Sequence, residues 1–220
     1  MPPTLALLHT APALQPTFEK LLAELGPEVP ARHLVASELL DEARQCGADA
    51  PQVKEHVVEA LGDAARDHDA AVVLCTCSSI GGAAEDAPVG VPVLRIDRAM
   101  AQKAVENGPR VLVAAALTST IGPTRDLIAD AAARAGRAVD LIDVDCSAAW
   151  PRFEKGDTAG YYAGIAGCLR AAAPQGDVAV LAQASMAPAA DLCTDLPIEV
   201  LSSPRLGIEA AVAAYRQAVA

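Results

Sequence analysis

The sequence predicts an α/β fold made of two pseudo-symmetric halves, each a parallel sheet covered by helices. Three observations carry this. Apolar runs that read as buried strands alternate with longer helical patterns, and the runs are continuously apolar, the mark of a parallel sheet covered on both faces. Segments of the first half return about a hundred residues later, as expected of a duplicated unit. The breaker pair Gly108-Pro109 falls between the two sets.

In chain order, Leu5 to His9 reads as the first buried strand. A helix follows from Pro16 to Leu25, with Phe18, Leu21, Leu22 and Leu25 at helical spacing. A long helical pattern covers Ala50 to Asp67, and Ala70 to Cys75 is the second strand. Pro92 to Ile96 gives a further strand and Arg98 to Asn107 a helix. The second half repeats the order with strands at Val111 to Ala116, Val139 to Val144, Val178 to Ala182 and Ile198 to Leu201, and helices at Thr124 to Ala135 and Thr158 to Ala173. A last helix, Leu206 to Val219, is expected to return and pack on the first half. The expected division is therefore 1–97 with 206–220, and 98–205.

The repeat is visible residue by residue. With Cys77 laid on Gln183, Ser79 falls on Ser185, Ile80 on Met186, and Ala83-Ala84-Glu85 on Ala189-Ala190-Asp191. Leu5 to Thr10 resembles the stretch from Val111, and Val91 to Val105 is aligned with the stretch from Leu196, which lays Arg95 on Val200.

Composition narrows the classes. The 220 residues carry a formal net charge of −11 and only 3% aromatic residues. With no Lys/Arg cluster, the phosphate-neutralising surface that nucleic acid requires is missing. No uncharged apolar run reaches the roughly 20 residues of a bilayer span, and Met1-Pro-Pro-Thr lacks the basic region of a signal peptide. A cytoplasmic protein with neither nucleic-acid nor membrane partners is expected. The six cysteines show no disulfide-scaffold spacing and are expected to be reduced.

Open α/β sheets build their sites where strands end. Two such halves facing each other would bring together His9-Thr10, Cys77-Ser78-Ser79, Thr118-Ser119-Thr120 and Gln183-Ala184-Ser185, with the active site in the cleft between them. These loops hold a thiol, an amide and many hydroxyls, and no Lys or Arg. Cys77 lies past its strand among hydroxyls and ahead of Gly81-Gly82; a helix start there would lower its pKa. Cys75, two residues earlier, reads as a packing residue. A Cys-x-Cys pair also suggests metal, but zinc needs about four ligands and no second Cys/His cluster is visible, so no metal is expected.

At this point the sequence resembles the Asp/Glu/hydantoin racemase superfamily, which also includes arylmalonate decarboxylase and maleate isomerase. The resemblance spans nearly the whole chain. Its carriers are Thr76-Cys77-Ser78-Ser79-Ile80-Gly81, Arg95-Ile96-Asp97-Arg98-Ala99-Met100-Ala101, Leu117-Thr118-Ser119-Thr120-Ile121-Gly122-Pro123-Thr124 and Leu181-Ala182-Gln183-Ala184-Ser185-Met186-Ala187. It implies two flavodoxin-like α/β halves with the site between them, no cofactor, and one cysteine per half to move a proton on each face of the substrate. Cys77 matches the first of these. The second position holds Gln183, and an amide cannot exchange protons at neutral pH. His9-Thr10 stands where glutamate racemases of the family carry an Asp-Ser pair. The resemblance thus implies an enzyme acting on a small carboxylate by one-sided thiol chemistry: a racemase or isomerase, with a decarboxylase or a carboxylate-binding protein as alternatives.

The remaining candidates follow from the same loops. Thr10, Ser78, Ser79, Thr118, Ser119, Thr120 and Ser185 are expected to hold a carboxylate or enolate, together with backbone N–H groups. N-capping is the other reading of these hydroxyls. Gln183 reads either as a donor to the intermediate or as a satisfied buried amide. His9 reads either as a cleft-facing proton carrier or as a structural histidine. His33, His56 and His68 are expected at the surface. Tyr161 and Tyr162 read as pocket wall or as helix packing. A homo-oligomer is expected.

Overall fold

The computed structural model of the chain describes residues 2–67 and 69–220, so the readings that touch Met1 and His68 lie outside the described residues. The chain forms two compact units, Met1–Asp97 with Pro204–Ala220, and Arg98–Ser203. Each is a four-stranded parallel sheet with helices on its faces.

In the first unit β1 (Thr4–His9) is flanked by β2 (Ala31–Val35) and β3 (Ala70–Cys75), and β4 (Val93–Arg95) extends the sheet beyond β3. The order β2-β1-β3-β4 is the flavodoxin-like winding, with its switch point between β1 and β3. The crossovers that parallel strands require are supplied by α1 (Gln15–Leu25), α2 (Ser37–Cys46), α3 (Pro51–Asp67) and the short α4 (Gly81–Glu85). Ala6, Leu8, Val73 and Cys75 alternate onto one face, where Leu39, Val53, Val57, Leu61 and Ile80 cover them. Leu5, Leu7, Val72 and Leu74 are equally buried on the other face. That burial of both faces is why these strands are apolar throughout.

The last helix, α9 (Ser203–Ala218), belongs mostly to this unit. Gly207 lies so close to the Ile96 backbone that a Cβ there would sit 2.3 Å from its carbonyl oxygen, and a Cβ at Gly26 would sit 2.8 Å from the Val212 side chain. The Tyr215 hydroxyl donates to the Pro3 carbonyl at 2.9 Å, and Arg205 and Arg216 pair with Glu24 and Glu28.

The second unit repeats the winding as β6-β5-β7-β8, with β5 (Arg110–Ala115), β6 (Asp140–Asp145), β7 (Val178–Leu181) and β8 (Glu199–Ser202). Its helices are α5 (Arg98–Asn107), α6 (Ile121–Arg134), α7 (Trp150–Glu154) and α8 (Thr158–Ala172). Asp157 caps α8 by accepting from the Gly160 N–H at 2.9 Å. Leu112, Ala114, Ala179 and Leu181 pack against Tyr161, Ile165 and Leu169 of α8. Among the described residues no helix is long and apolar enough to cross a membrane.

Three expectations need correction. The sequence gives no sign of β2, α2 or α7. The β2 segment Ala-Arg-His-Leu-Val is an edge strand with two exposed residues, and α2 buries only Leu39 and Ala43, so neither shows a continuous apolar signal. Consequently His33 is not a surface residue: it stands on β2, half-buried, beside β1. Finally, the ladders set Arg95 level with Cys75 and Ser202 level with Leu181. The counterpart of Arg95 is therefore Ser202 and not Val200. The β1/β5 and β3/β7 alignments share a single offset and keep it.

Candidate active site

In the first unit the carboxyl edge of the sheet presents the ends of β1 and β3 side by side. Thr76 continues the β1 to β3 pairing past the strand, its N–H donating to the Leu8 carbonyl at 3.0 Å. Cys77 follows, 8% exposed, and a turn over residues 78–80 leads into α4. The helix begins only at Gly81, so Cys77 precedes its first turn by a full tight turn. Both thiols join the same apolar cluster. Cys75 is fully buried and its thiol donates to the Cys77 carbonyl at 3.7 Å. Burial pushes the Cys75 thiol well up, and a charge on Cys77 would push it further. Cys75 is thus held as a neutral thiol, a packing group in the sense expected of it.

Beneath this loop lies a charged pair. The Arg95 guanidinium donates to both oxygens of Asp97, Nε to Oδ1 at 2.7 Å and Nη2 to Oδ2 at 3.1 Å, with both side chains buried. Such a fork is the strong form of an ion pair. Its plane lies against Gly81, where a Cβ would come within 2.9 Å of Arg95 Nε. The glycine that follows the Cys77 segment is there because the guanidinium occupies the space of a side chain.

His9, at the end of β1, has no exposure, and both ring nitrogens are engaged inside the unit. Nδ1 lies 2.9 Å from Thr76 Oγ1 and Nε2 lies 2.8 Å from His33 Nδ1. Burial, reinforced by His33 and opposed by Glu19, lowers its pKa to about 4. His9 is therefore enclosed behind the strand ends. The hydroxyls of Thr10, Ser78 and Ser79 make no hydrogen bond to a described residue and are not sealed from solvent, so they remain available to a ligand.

In the second unit the corresponding edge carries Thr118, Ser119 and Thr120 after β5 and Gln183 to Ser185 after β7. Thr118 and Ser119 are exposed, whereas the Thr120 hydroxyl donates to the Leu117 carbonyl at 2.7 Å and shapes the loop. The Ser185 hydroxyl lies 3.1 Å from that of Tyr161, which is fully buried. Burial pushes the Tyr161 phenol up to about 12, so it acts as a neutral partner for Ser185. Tyr161 packs with Trp150, Phe153 and Tyr162, which settles it as a core side chain.

Gln183 occupies the place that Cys77 holds in the first unit. Its Oε1 accepts from two successive backbone N–H groups at the end of β5, Ala116 at 2.8 Å and Leu117 at 3.0 Å. The orientation of the amide follows, since only the oxygen can accept. Nε2 is left without a bond to a described residue and is not closed off from solvent. The second half therefore offers a neutral N–H donor where the first offers a thiol. His33 is the functional candidate that sequence reasoning missed, and only recognition of β2 would have found it.

Fold and strand ends together define a class: α/β proteins made of two like parallel-sheet units, each presenting polar strand-end loops, with a thiol after the third strand of the first. The chain belongs to the Asp/Glu/hydantoin racemase family, whose model matches residues 10–211. Similar solved structures include the aspartate racemase of Picrophilus torridus (TM-score 0.71, 13% identity, 98% of this chain and 93% of that one) and the allantoin racemase of Klebsiella pneumoniae (0.67, 19%, 100% and 90%). An arylmalonate decarboxylase is also similar (TM-score 0.55, 20% identity, 97% and 92%). At these identities they establish the shared fold. No curated protein gives a significant sequence match.

Proposed function

We propose that the chain is a cofactor-independent enzyme that performs one-sided thiol chemistry at the α-carbon of a small carboxylate. One observation carries the reading: the equivalent positions of the two halves hold Cys77 and Gln183, and the Gln183 carbonyl is already committed to Ala116 and Leu117. Cys77 then removes or returns the α-proton, or attacks as a nucleophile. Each half offers donors for a carboxylate or for enolate charge: the Thr10, Ser78 and Ser79 hydroxyls in the first, and the Thr118, Ser119 and Ser185 hydroxyls with the Gln183 amide N–H in the second. Thr120, expected among them, has already given its proton to the Leu117 carbonyl. A group that holds charge without exchanging a proton favours return of the proton to the face from which it left.

The test is α-proton exchange in D₂O across a panel of small carboxylates, followed by NMR and chiral chromatography. Exchange is expected to outpace inversion, to fall by at least roughly 10³-fold in Cys77→Ser, in line with loss of a catalytic nucleophile or base, and to survive in Cys75→Ser. Loss of exchange in the Cys75 variant alone would sink the assignment. A second reading, decarboxylation, is favoured by the same asymmetry, because one thiol suffices to protonate an enolate after CO₂ leaves. Release of CO₂ from substituted malonates separates the two. An ordinary thiol pKa near 8.5 for Cys77, read from alkylation rates, with no turnover, would mark a carboxylate-binding protein instead.

A further inference from the structure

The hydrogen bonds around His9 form a chain with one self-consistent polarity. The Thr76 hydroxyl has one proton and two acceptors in reach, the Leu8 carbonyl at 3.1 Å and His9 Nδ1 at 2.9 Å; with the Leu8 bond made, it accepts from His9, and His9 Nδ1 carries the proton. His9 Nε2 is then a bare lone pair, and the 2.8 Å contact to His33 requires that His33 Nδ1 donate. His33 Nε2 is left as the basic site of the chain, with no bond to a described residue and a path to solvent. The polarity runs unbroken from His33 through His9 and Thr76 to the backbone of β1.

The sheet does not need this arrangement. The second unit builds the same strand ends with Ala115 where the first has His9 and Ala182 where it has Thr76, at the common offset of the repeat. A carboxylate ligand, however, needs compensating charge, and the strand-end loops at residues 9–10 and 77–79 contain no Lys or Arg. Arg95, beneath them, is forked onto Asp97. The histidine pair is a group at this edge able to take up positive charge.

We propose that His9 and His33 form a proton relay that supplies this charge on demand, taking a proton from solvent through His33 when an anionic ligand binds at the ends of β1 and β3. A proton binds His33 Nε2. The Nδ1–H bond of His33 breaks as His9 Nε2–H forms, leaving His33 neutral with its proton on Nε2 and His9 as imidazolium. No heavy atom has to move, because the 2.8 Å contact serves in both directions and His9 Nδ1 still donates to Thr76. The groups facing the pair are the Glu19 carboxylate and the Phe18 ring from α1, and the Thr76 hydroxyl after β3; Glu19 favours the charged form. The ordinary preference of both rings is the neutral state, since burial lowers both. A carboxylate about 8 Å away shifts that balance roughly thirtyfold at an effective dielectric near 20.

The proposal rests on the reading of these strand ends as a carboxylate site, and its test keeps the two apart. Phenylacetate, fully ionised at pH 6, is titrated calorimetrically into the full chain carrying Cys77→Ser, which prevents turnover, in two buffers of different ionisation enthalpy. Uptake of about two tenths of a proton per phenylacetate is expected at pH 6 and close to none at pH 8.5. In His33→Gln, where the amide still donates to His9 but cannot titrate, uptake should fall at least threefold with phenylacetate still bound. Binding without uptake at pH 6, or equal uptake in His33→Gln, overturns the relay. Nitrogen-detected NMR of the ligand-free protein decides the relay independently of any ligand: His9 and His33 are both expected as Nδ1–H tautomers at pH 7, and an Nε2–H tautomer of His9 overturns it. Failure of malonate and phenylacetate alike to bind, with those tautomers present, overturns the carboxylate reading and the ligand-driven step with it.

Discussion

Gly81 shows how closely the Cys77 segment is fitted to what lies beneath it. Its φ is not in the left-handed region, so the demand for glycine is purely steric. The Arg95 guanidinium it touches is buried and pinned by both oxygens of Asp97, and cannot swing aside as a surface arginine would. Gly81→Ala is therefore expected to cost about 1–3 kcal/mol of stability in denaturant unfolding, in the range of overpacked cores. A change within about 0.5 kcal/mol, typical of neutral surface substitutions, would mean that the fork yields readily. At this scale the sequence was informative about position and silent about partners. The equivalence of Cys77 and Gln183 is legible because the repeat holds one offset across two strands. The two backbone N–H groups that Gln183 accepts from are not, because they come from β5, far away in sequence.

Among elements, the clasp across β1, β2 and β3 makes stability depend on pH. The pKa of His9 is lowered from 6.5 to about 4 on folding, so the unfolded chain binds the extra proton more readily. Its contribution is complete above pH 6.5, is lost as pH falls toward about 4, and is flat below that. Between pH 7.5 and 5.0 the loss is about 2 kcal/mol from this residue. The carboxylates of Glu28, Asp130, Asp145, Asp157, Asp177 and Asp195 are held low by their partners, so their losses begin only at more acid pH. His33, also lowered by burial, acts in the same direction and His56, raised by Glu42, in the opposite one. Chemical denaturation at the two pH values should therefore show a clearly smaller drop in His9→Gln than in the wild type; equal drops would contradict the assignment. The clasp was invisible in sequence because its third member stands on β2. An edge strand of five residues, with Arg32 and Val35 exposed, carries neither the continuous apolar run of β1 nor a clean alternation. The interior strands, buried on both faces, were legible for the opposite reason.

For the whole molecule, the first unit is assembled from both ends of the described chain, and Gly207 is the tightest point of that closure. A Cβ at 2.3 Å from the Ile96 carbonyl oxygen and 2.5 Å from its Cδ1 would meet backbone that cannot yield without moving the segment after β4. Gly207→Ala is expected to destabilise by about 3 kcal/mol or more, the range reached when overpacking forces backbone shifts. Hydrogen exchange should show protection lost in residues 1–97 while residues 98–203 keep theirs; uniform loss would mean that the two units do not unfold separately. The same discontinuity governs how the protein comes into being. Although Thr4–His9 is made before the rest of its unit, that unit lacks α9 until the chain beyond Pro204 is made, whereas Arg98–Ser203 is complete by then. At about 5–20 residues per second, the intervening hundred or so residues take several seconds to synthesise. During that interval the half that holds Cys77 waits without its last helix, and the later half is the first able to finish folding.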